Sequence, residues 1–162
     1  MPSTQARAVG ERAEASATAR PPLAPALVVA LAAIVILLAR SRHYLPFMVD
    51  DAFISLRYAE RLATGNGLTW TDGERVEGYT NLLWVLCTAA LHALGVDLVV
   101  AARLLGLLGM TATLLAVVFA HAPPSARAAL PAVIASCGLA LTGPAAVWSI
   151  GGMEQPLLAA LL

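Results

Sequence analysis

The chain of 162 residues is poor in charge, and its charge is of a restricted kind. Only 12% of the residues are charged, whereas about a quarter are charged in a soluble domain. Lysine is absent, and the ten basic residues, all arginines, are balanced by ten acidic ones. A net charge of zero gives no sign of the basic surface that nucleic-acid binding requires, so no nucleic-acid partner is expected.

Cysteine is also scarce. Cys87 and Cys137 are the two cysteines, and both lie in apolar segments. Neither has a neighbouring cysteine or histidine at the spacing of metal ligands. This pattern favours buried free thiols over a disulfide or a zinc site.

Apolar residues dominate what remains. They make up 59% of the chain, and the mean hydropathy is +0.78. Residues 23–39, 104–120 and 128–153 carry no charge, and each run is close to or above the roughly 17–25 residues that cross a bilayer as a helix. The sequence therefore predicts an all-α, polytopic transmembrane protein that crosses the cell (plasma) membrane several times.

The apolar runs divide the chain into a tail and a membrane domain. Residues 1–21 predict a disordered N-terminal tail, and residues 22–162 predict a multi-span membrane domain. Spans are expected at about 23–39, 98–120 and 130–147, and another begins at 156–162. Because the chain stops within this last apolar helix, we expect it to be the N-terminal part of a longer protein. A secretory signal peptide is the competing interpretation of the first span, but no small-x-small cleavage site follows it.

A long polar loop with short helices occupies about residues 41–97. Asp50 or Asp51 can cap an amphipathic helix over 52–63, which could lie along the membrane surface. The apolar run 82–94 has thirteen residues, hence a helix of about 20 Å, too short for a hydrocarbon core of about 30 Å. We expect a surface or re-entrant helix with Tyr79 and Trp84 as interfacial anchors. Glu154 then falls on the same membrane face as the aspartate pair.

The adjacent carboxylates Asp50 and Asp51 are the first candidate site, because charge beside an apolar zone is costly and by default indicates function. Helix capping is the alternative for this pair. Glu154 follows an uncharged run of twenty-six residues and is a second candidate. For Arg57 and Arg61, a solvated helix face competes with substrate binding. Glu77 could instead pair with Arg75.

Several motifs of this region resemble those of one enzyme family. Asp50-Asp51-Ala-Phe-Ile-Ser-Leu-Arg57-Tyr58-Ala is followed by Asn66-Gly-Leu-Thr-Trp70, by Arg75-Val-Glu-Gly-Tyr-Thr-Asn81 and by Gly152-Met-Glu154. Together they are similar to the start of GT-C type glycosyltransferases, in particular the actinobacterial arabinofuranosyltransferase B branch, which adds arabinofuranose to cell-wall arabinan.

This resemblance implies a reaction and roles for residues. The donor would be a polyprenyl-phosphate sugar, used on the extracytoplasmic face with a glycan acceptor in the presence of membrane lipid. Asp50 would be the general base, and Asp51 and Glu154 would orient the acceptor or bind a divalent cation. Arginine suits the phosphate of such a donor. The candidate catalytic residues are Asp50 and Asp51, and the candidate substrate-binding residues are Arg57, Arg61, Glu77, Tyr79, Asn81 and Glu154. Gln155 after Glu154 departs from the family's pattern.

Two other classes of function stay open. A transporter would hold its carboxylates near the bilayer midplane in broken helices with internal repeats, and no repeat is visible here. A non-catalytic membrane anchor or assembly protein would use the amphipathic loop as an interaction surface.

Overall fold

The structure is a computed structural model that describes residues 23–73, 76–120 and 130–162. Within these ranges it is all-helical, with seven α-helices and no β-strand. The helices are α1 (Leu23–His43), α2 (Ala52–Ala63), α3 (Leu82–Ala93), α4 (Leu98–Ala120), α5 (Leu130–Leu141), α6 (Gly143–Ile150) and α7 (Gln155–Leu161). The predicted disordered tail lies outside the described residues.

Two helices are long and apolar enough to cross a membrane. They are Ala24–His43 within α1 and the whole of α4, with mean hydropathies of 2.3 and 2.0. The outward faces of both are apolar: Leu31 of α1 is 63% exposed and Leu108 of α4 is 64% exposed. An apolar surface of this kind is unusual on a soluble monomer and is what a lipid environment requires.

The third predicted span, 130–147, is not one continuous helix. It is divided into α5 and α6, whose axes are bent by 59°. Thr142 adopts an extended conformation and its Oγ1 accepts a hydrogen bond from the N–H of Ala145 at 3.3 Å, starting a new helix. Pro144 lies in the first turn of α6, where its missing N–H costs nothing, whereas inside a continuous helix it would remove a hydrogen bond. The bent pair could still form one span.

Small residues set the packing of α1. Ala26, Ala30, Ala33 and Leu37 repeat at helical spacing and are all buried, so one stripe of α1 faces the bundle. Ala33 and Leu37 share a buried cluster with Leu114 of α4 and with residues of α5 and α6. The side chains on this face are short, so the helices approach closely without bulky interdigitation.

Two glycines let α4 meet its neighbours at backbone distance. A Cβ on Gly106 would overlap the carbonyl oxygen of Ser149 in α6, and a Cβ on Gly109 would lie 2.6 Å from the carbonyl oxygen of Pro156 in α7. Both neighbours are main-chain atoms, so no side chain could rotate away to make room for a Cβ. The approach of α6 and α7 to α4 therefore depends on these two positions.

Helices α2 and α3 form a layer at one end of the bundle. Tyr58 and Ala59 of α2 pack with Val85 and Ala89 of α3 in one buried cluster. The predicted short helix is present as α3, with twelve residues, about 18 Å long. It belongs with α2 rather than with the long helices.

Trp84 was predicted to be an interfacial anchor, and this is wrong. It is 1% exposed and belongs to a buried cluster with Leu56 of α2 and Ala102 of α4. The small side chain of Ala102 leaves space for the indole, and burial of so large a ring contributes much of the contact between the layer and α4.

Replacing Gly106 by alanine is expected to destabilise the protein by about 1–3 kcal/mol, the usual cost of overpacking, because the new methyl group meets the main chain of Ser149. Gly138→Ala is the control, since nothing lies within 4 Å of its Cβ position. That change should be neutral or stabilise by up to about 1 kcal/mol, because alanine favours helix. Unfolding in mixed detergent followed by circular dichroism measures both. Equal effects would contradict the close approach.

The arrangement also predicts a membrane topology. In a background without Cys87 and Cys137, single cysteines at Thr80 and Gln155 should react with an impermeant thiol reagent from the same side of the membrane. Both positions are exposed, and they avoid Gly73 and Gly152, whose φ angles of +84° and +89° disfavour a side chain. A cysteine at Ser125, which lies outside the described residues, should react from the opposite side. Labelling of Thr80 and Gln155 from different sides would mean that α3 crosses the membrane.

Candidate functional site

The aspartate pair lies in the connection between α1 and α2, and main-chain contacts fix this connection. The N–H of Val49 donates a hydrogen bond to the carbonyl oxygen of Gly151 at 3.0 Å. Arg103 of α4 donates from Nη2 to the carbonyl oxygen of Leu45 at 2.6 Å. The segment is thereby held to two other parts of the bundle, and the carboxylates do not have to contribute to its folding.

Asp51 occupies the N-cap position of α2, but its side chain makes no cap hydrogen bond. Asp50 accepts the N–H of Asp51 on Oδ1 at 3.1 Å, and both side chains are exposed. Elsewhere in the chain, such residues do cap: Asp97 accepts the N–H groups of Val99 and Val100 at the start of α4. Helix capping therefore does not explain the aspartate pair.

The turn between α6 and α7 lies directly on the aspartate segment because Gly152 has no side chain. Gly152 has a φ of +89°, which other residues rarely adopt. A Cβ at this position would overlap the side chain of Met48 and lie 3.0 Å from Cβ of Ala52. The positive φ favours glycine here, and a larger residue would also have to displace the end of the Met48 side chain. The contact brings the region of Glu154 to the end of the bundle that carries Asp50 and Asp51.

Glu154 and Asn81, both predicted site residues, are brought together by the fold. Nδ2 of Asn81 donates a hydrogen bond to Oε2 of Glu154 at 2.8 Å. The Oγ of Ser55 donates in turn to Oδ1 of Asn81 at 3.1 Å. We call this series of hydrogen bonds the Ser55–Asn81–Glu154 relay. It joins α2, the start of α3 and the start of α7.

Ser55 was missed by the sequence analysis. It lies in α2, four residues after Asp51, so the two positions share a face of the helix. Its side chain is buried, and a buried hydroxyl needs a hydrogen-bond partner. The sequence could have indicated Ser55, because it is a polar residue on the apolar face of a helix that begins beside the aspartate pair.

Tyr58 shapes the loop that carries Glu77 and Tyr79. Its buried hydroxyl donates to the carbonyl oxygen of Val76 at 2.6 Å and accepts the N–H of Gly78 at 3.0 Å. A Cβ on Gly78 would come within 2.9 Å of this hydroxyl. The ring of Tyr79 packs edge-on against that of Tyr58 at 4.8 Å. Glycine and tyrosine at these positions thus have structural reasons in the loop.

The two candidate substrate-binding residues of this loop differ in their surroundings. Tyr79 is half-buried in the cluster of α2 and α3. Glu77 is exposed and, together with Tyr79 and Leu68, lines a cavity of about 230 Å³. The predicted alternative, pairing of Glu77 with Arg75, lies outside the described residues because Arg75 does.

Arg57 and Arg61 do not act as a pair. Arg57 is half exposed and donates to Glu60 at 2.9 Å. Arg61 is 8% exposed and donates to Thr69 at 2.8 Å and to Asp72. Its guanidinium therefore ties α2 to the following loop. Of the two, Arg57 has the more accessible charge for a substrate.

A cavity of about 200 Å³ lies beside the relay. Its polar side is formed by Thr80, Asn81 and Glu154, and Trp84 also lines it. Nε1 of Trp84 has no hydrogen-bond partner among the described residues. The rest of the lining is apolar: Leu82, Leu83, Leu157 and Leu158.

A divalent cation was considered for Asp51 and Glu154. Across residues 23–73, 76–120 and 130–162, no three side chains of His, Cys, Asp or Glu are grouped closely enough to hold a metal ion. The hydrogen bond from Asn81 also occupies one oxygen of Glu154. The donor groups present therefore do not form a recognisable cation site.

Comparison with known proteins gives no relative for this chain: no family model, no curated protein and no solved structure matches it.

The ion pair of Arg61 gives a prediction about pH. The hydrogen bond and charge of Arg61, with a smaller contribution from Arg57, hold the pKa of Asp72 below its ordinary value. Since the folded-state pKa is the lower one, the interaction stabilises the fold above the unfolded pKa and is lost as the pH falls through the folded one. Arg61→Met should raise the pKa of Asp72 toward the ordinary value, measured by NMR titration of labelled carboxyl carbons. Arg57→Met, the control, should raise it less, and an equal rise would contradict the assignment.

Proposed function

We propose that this chain carries active-site residues of an integral membrane glycosyltransferase of GT-C type. The enzyme transfers a sugar from a polyprenyl-phosphate donor to a cell-envelope glycan acceptor on the extracytoplasmic face of the cell membrane. Arabinofuranose is the sugar to which the resemblance of the motifs points. The membrane domain crosses the bilayer several times through α1, α4 and the bent pair α5–α6.

One observation carries the proposal: the polar residues at three helix starts do not cap their helices. Asp51, Asn81 and Glu154 occupy the N-cap positions of α2, α3 and α7, and none makes a side-chain cap hydrogen bond. A cap stabilises a helix by about 1 kcal/mol. Asp51 and Asn81 are of the types that cap well, and leaving both without a cap bond at one end of a bundle supports the use of these side chains, with Glu154 beside them, for binding or chemistry.

The location of the carboxylates supports a reaction over a transport pathway. Asp50 and Asp51 follow the C-terminal end of α1 and are exposed. A transporter holds such groups halfway along the helices, near the bilayer midplane. At the end of the bundle they suit a reaction between a lipid-anchored donor and a water-borne acceptor.

The chemistry requires a base and a counter-charge. The acceptor hydroxyl attacks the anomeric carbon of the donor, the bond from that carbon to the phosphate oxygen breaks, and Asp50 takes the hydroxyl proton. Oδ1 of Asp50 accepts the Asp51 N–H, and Oδ2 has no partner among the described residues, so it is available for the proton. The departing phosphate gains negative charge, for which Arg57 offers a planar cation.

The decisive test uses the Asp50→Asn variant. Asparagine keeps the shape but removes the base, so transfer should fall by about 10²–10⁴-fold, the usual contribution of general acid–base catalysis. Donor binding should change little, whereas Arg57→Ala should weaken donor binding more than it slows transfer. The measurement is sugar transfer from a polyprenyl-phosphate donor at saturating and limiting concentration, with expression matched across variants.

Two further variants serve as controls. Asp51→Asn should cost less than Asp50→Asn if Asp51 only orients the acceptor. Asp97→Asn should leave transfer unchanged, because Asp97 caps α4 and asparagine caps equally well. Near wild-type transfer by Asp50→Asn would remove Asp50 as the base.

A further inference from the structure

Asn81 is placed where a helix cap is expected and does something else. It precedes the first residue of α3, and its side chain makes no cap hydrogen bond. Asparagine is among the best capping residues, and its cap contributes about 1 kcal/mol. Here the amide is turned instead toward Ser55 and Glu154. The stability forgone at the helix start indicates that another interaction determines its orientation.

The direction of the relay is set at its Glu154 end, since the Ser55 hydroxyl can donate or accept. Oδ1 of Asn81 accepts the hydroxyl of Ser55 at 3.1 Å, and Nδ2 donates to Oε2 of Glu154 at 2.8 Å. An ionised carboxylate can only accept, and an amide has one accepting and one donating end. Rotating the amide by half a turn would place two oxygens against each other at Glu154.

Among the described residues, Asn81 is the one hydrogen-bond partner of the Glu154 side chain. Glu154 occupies the N-cap position of α7 without capping it. Together with Asn81 it lines the cavity of about 200 Å³. The other carboxylate oxygen, Oε1, has no partner in this part of the chain. The hydrogen bond therefore holds one oxygen of Glu154 and leaves the second for a ligand.

We propose that Asn81 is a positioning residue: its amide, which also accepts the hydroxyl of Ser55, holds the carboxylate of Glu154 beside this cavity and holds the start of α7 to the start of α3. Asn81 then acts through Glu154 rather than by touching substrate, which differs from the substrate-binding role predicted for it. The bond is charge-assisted and hence stronger than one between neutral groups. Its catalytic consequence rests on the proposed function, whereas its structural consequence does not.

Asn81→Asp tests the relay because it is isosteric and replaces the donating NH₂ group by an oxygen. At neutral pH two carboxylates then face each other across the former hydrogen bond, which is strongly unfavourable for at least one charge. The thermal unfolding midpoint should fall relative to the wild type, and sugar transfer should fall with it. A second measurement, the labelling rate of a cysteine at Gln155, should rise as α7 is released.

The defect should depend on pH with a defined sign. In the Asn81→Asp variant, repulsion between the two carboxylates raises the pKa of the pair. Below that pKa the two groups share a proton, which restores the hydrogen bond. The proton and the hydrogen bond are lost as the pH rises through that pKa. Unfolding midpoint and transfer by Asn81→Asp should therefore recover toward wild type at mildly acidic pH. Asp50 and Asp51, the nearby carboxylates on the adjacent segment, are the same in both proteins. The difference between the two pH profiles thus reports on residues 81 and 154.

The double variant Asn81→Asp with Glu154→Gln reverses the hydrogen bond, because glutamine donates and aspartate accepts. It should regain the wild-type unfolding midpoint and lose the pH dependence, while transfer stays low since the charge at 154 is absent. Glu154→Gln alone, the matched control, should keep one amide-to-amide hydrogen bond and show no pH dependence.

Three results would overturn the inference: a wild-type midpoint for Asn81→Asp, a defect that does not change with pH, or no recovery in the double variant. The stability arm needs no transfer assay. If the relay behaves as expected while none of the site variants affects transfer, the positioning of Glu154 stands and the glycosyltransferase proposal fails.

Discussion

The contact between the turn at Gly151 and Gly152 and the segment from Met48 to Ala52 holds the candidate site together. It consists of one main-chain hydrogen bond, from Val49 to Gly151, and of a close approach at Gly152, whose φ of +89° disfavours a side chain. Through it, the end of α6 and the start of α7 lie on the connection that carries the aspartate pair. The relay from Ser55 to Glu154 can form only because this turn has been brought there.

Because only 12% of the residues are charged, the few polar side chains stand out, and those of the candidate site lie at one end of the bundle. The long helices pack through alanine and glycine, as along Ala26, Ala30 and Ala33 of α1, and their outward faces are apolar. The polar side chains gather in the layer of α2 and α3 and in the turn before α7. Some of them have structural tasks, as Arg61 has with Thr69 and Asp72.

The polar residues at the helix starts fall into two groups, those that cap their helix and those that do not. Asp97 and Thr142 accept main-chain N–H groups and stabilise α4 and α6. Asp51, Asn81 and Glu154 have equivalent positions and make no cap bonds. Asp51 and Asn81 are residue types that cap as well as Asp97 and Thr142 do, so for these two the distinction comes from the surroundings of each side chain. It is the reason for preferring a reactive site to a purely structural one.

The sequence by itself determined the helical class, the bounds of α2 and α4, and the presence of a short helix near 82–94, because apolar periodicity and turn residues act locally. It also indicated Asp50, Asp51, Asn81 and Glu154 as candidate site residues, and their role stays a prediction. Local signals could not reveal the bend at Thr142, since an uncharged run is equally apolar whether it is straight or broken.

Only the tertiary structure decided which polar groups meet. Burial of Trp84 depends on the small Ala102 of another helix, and Arg61 is buried because the following loop folds over it. The pairing of Asn81 with Glu154 joins residues far apart in the chain, and it requires the close approach at Gly152. Contacts of this kind depend on shape complementarity between distant segments, which no spacing within a single segment encodes.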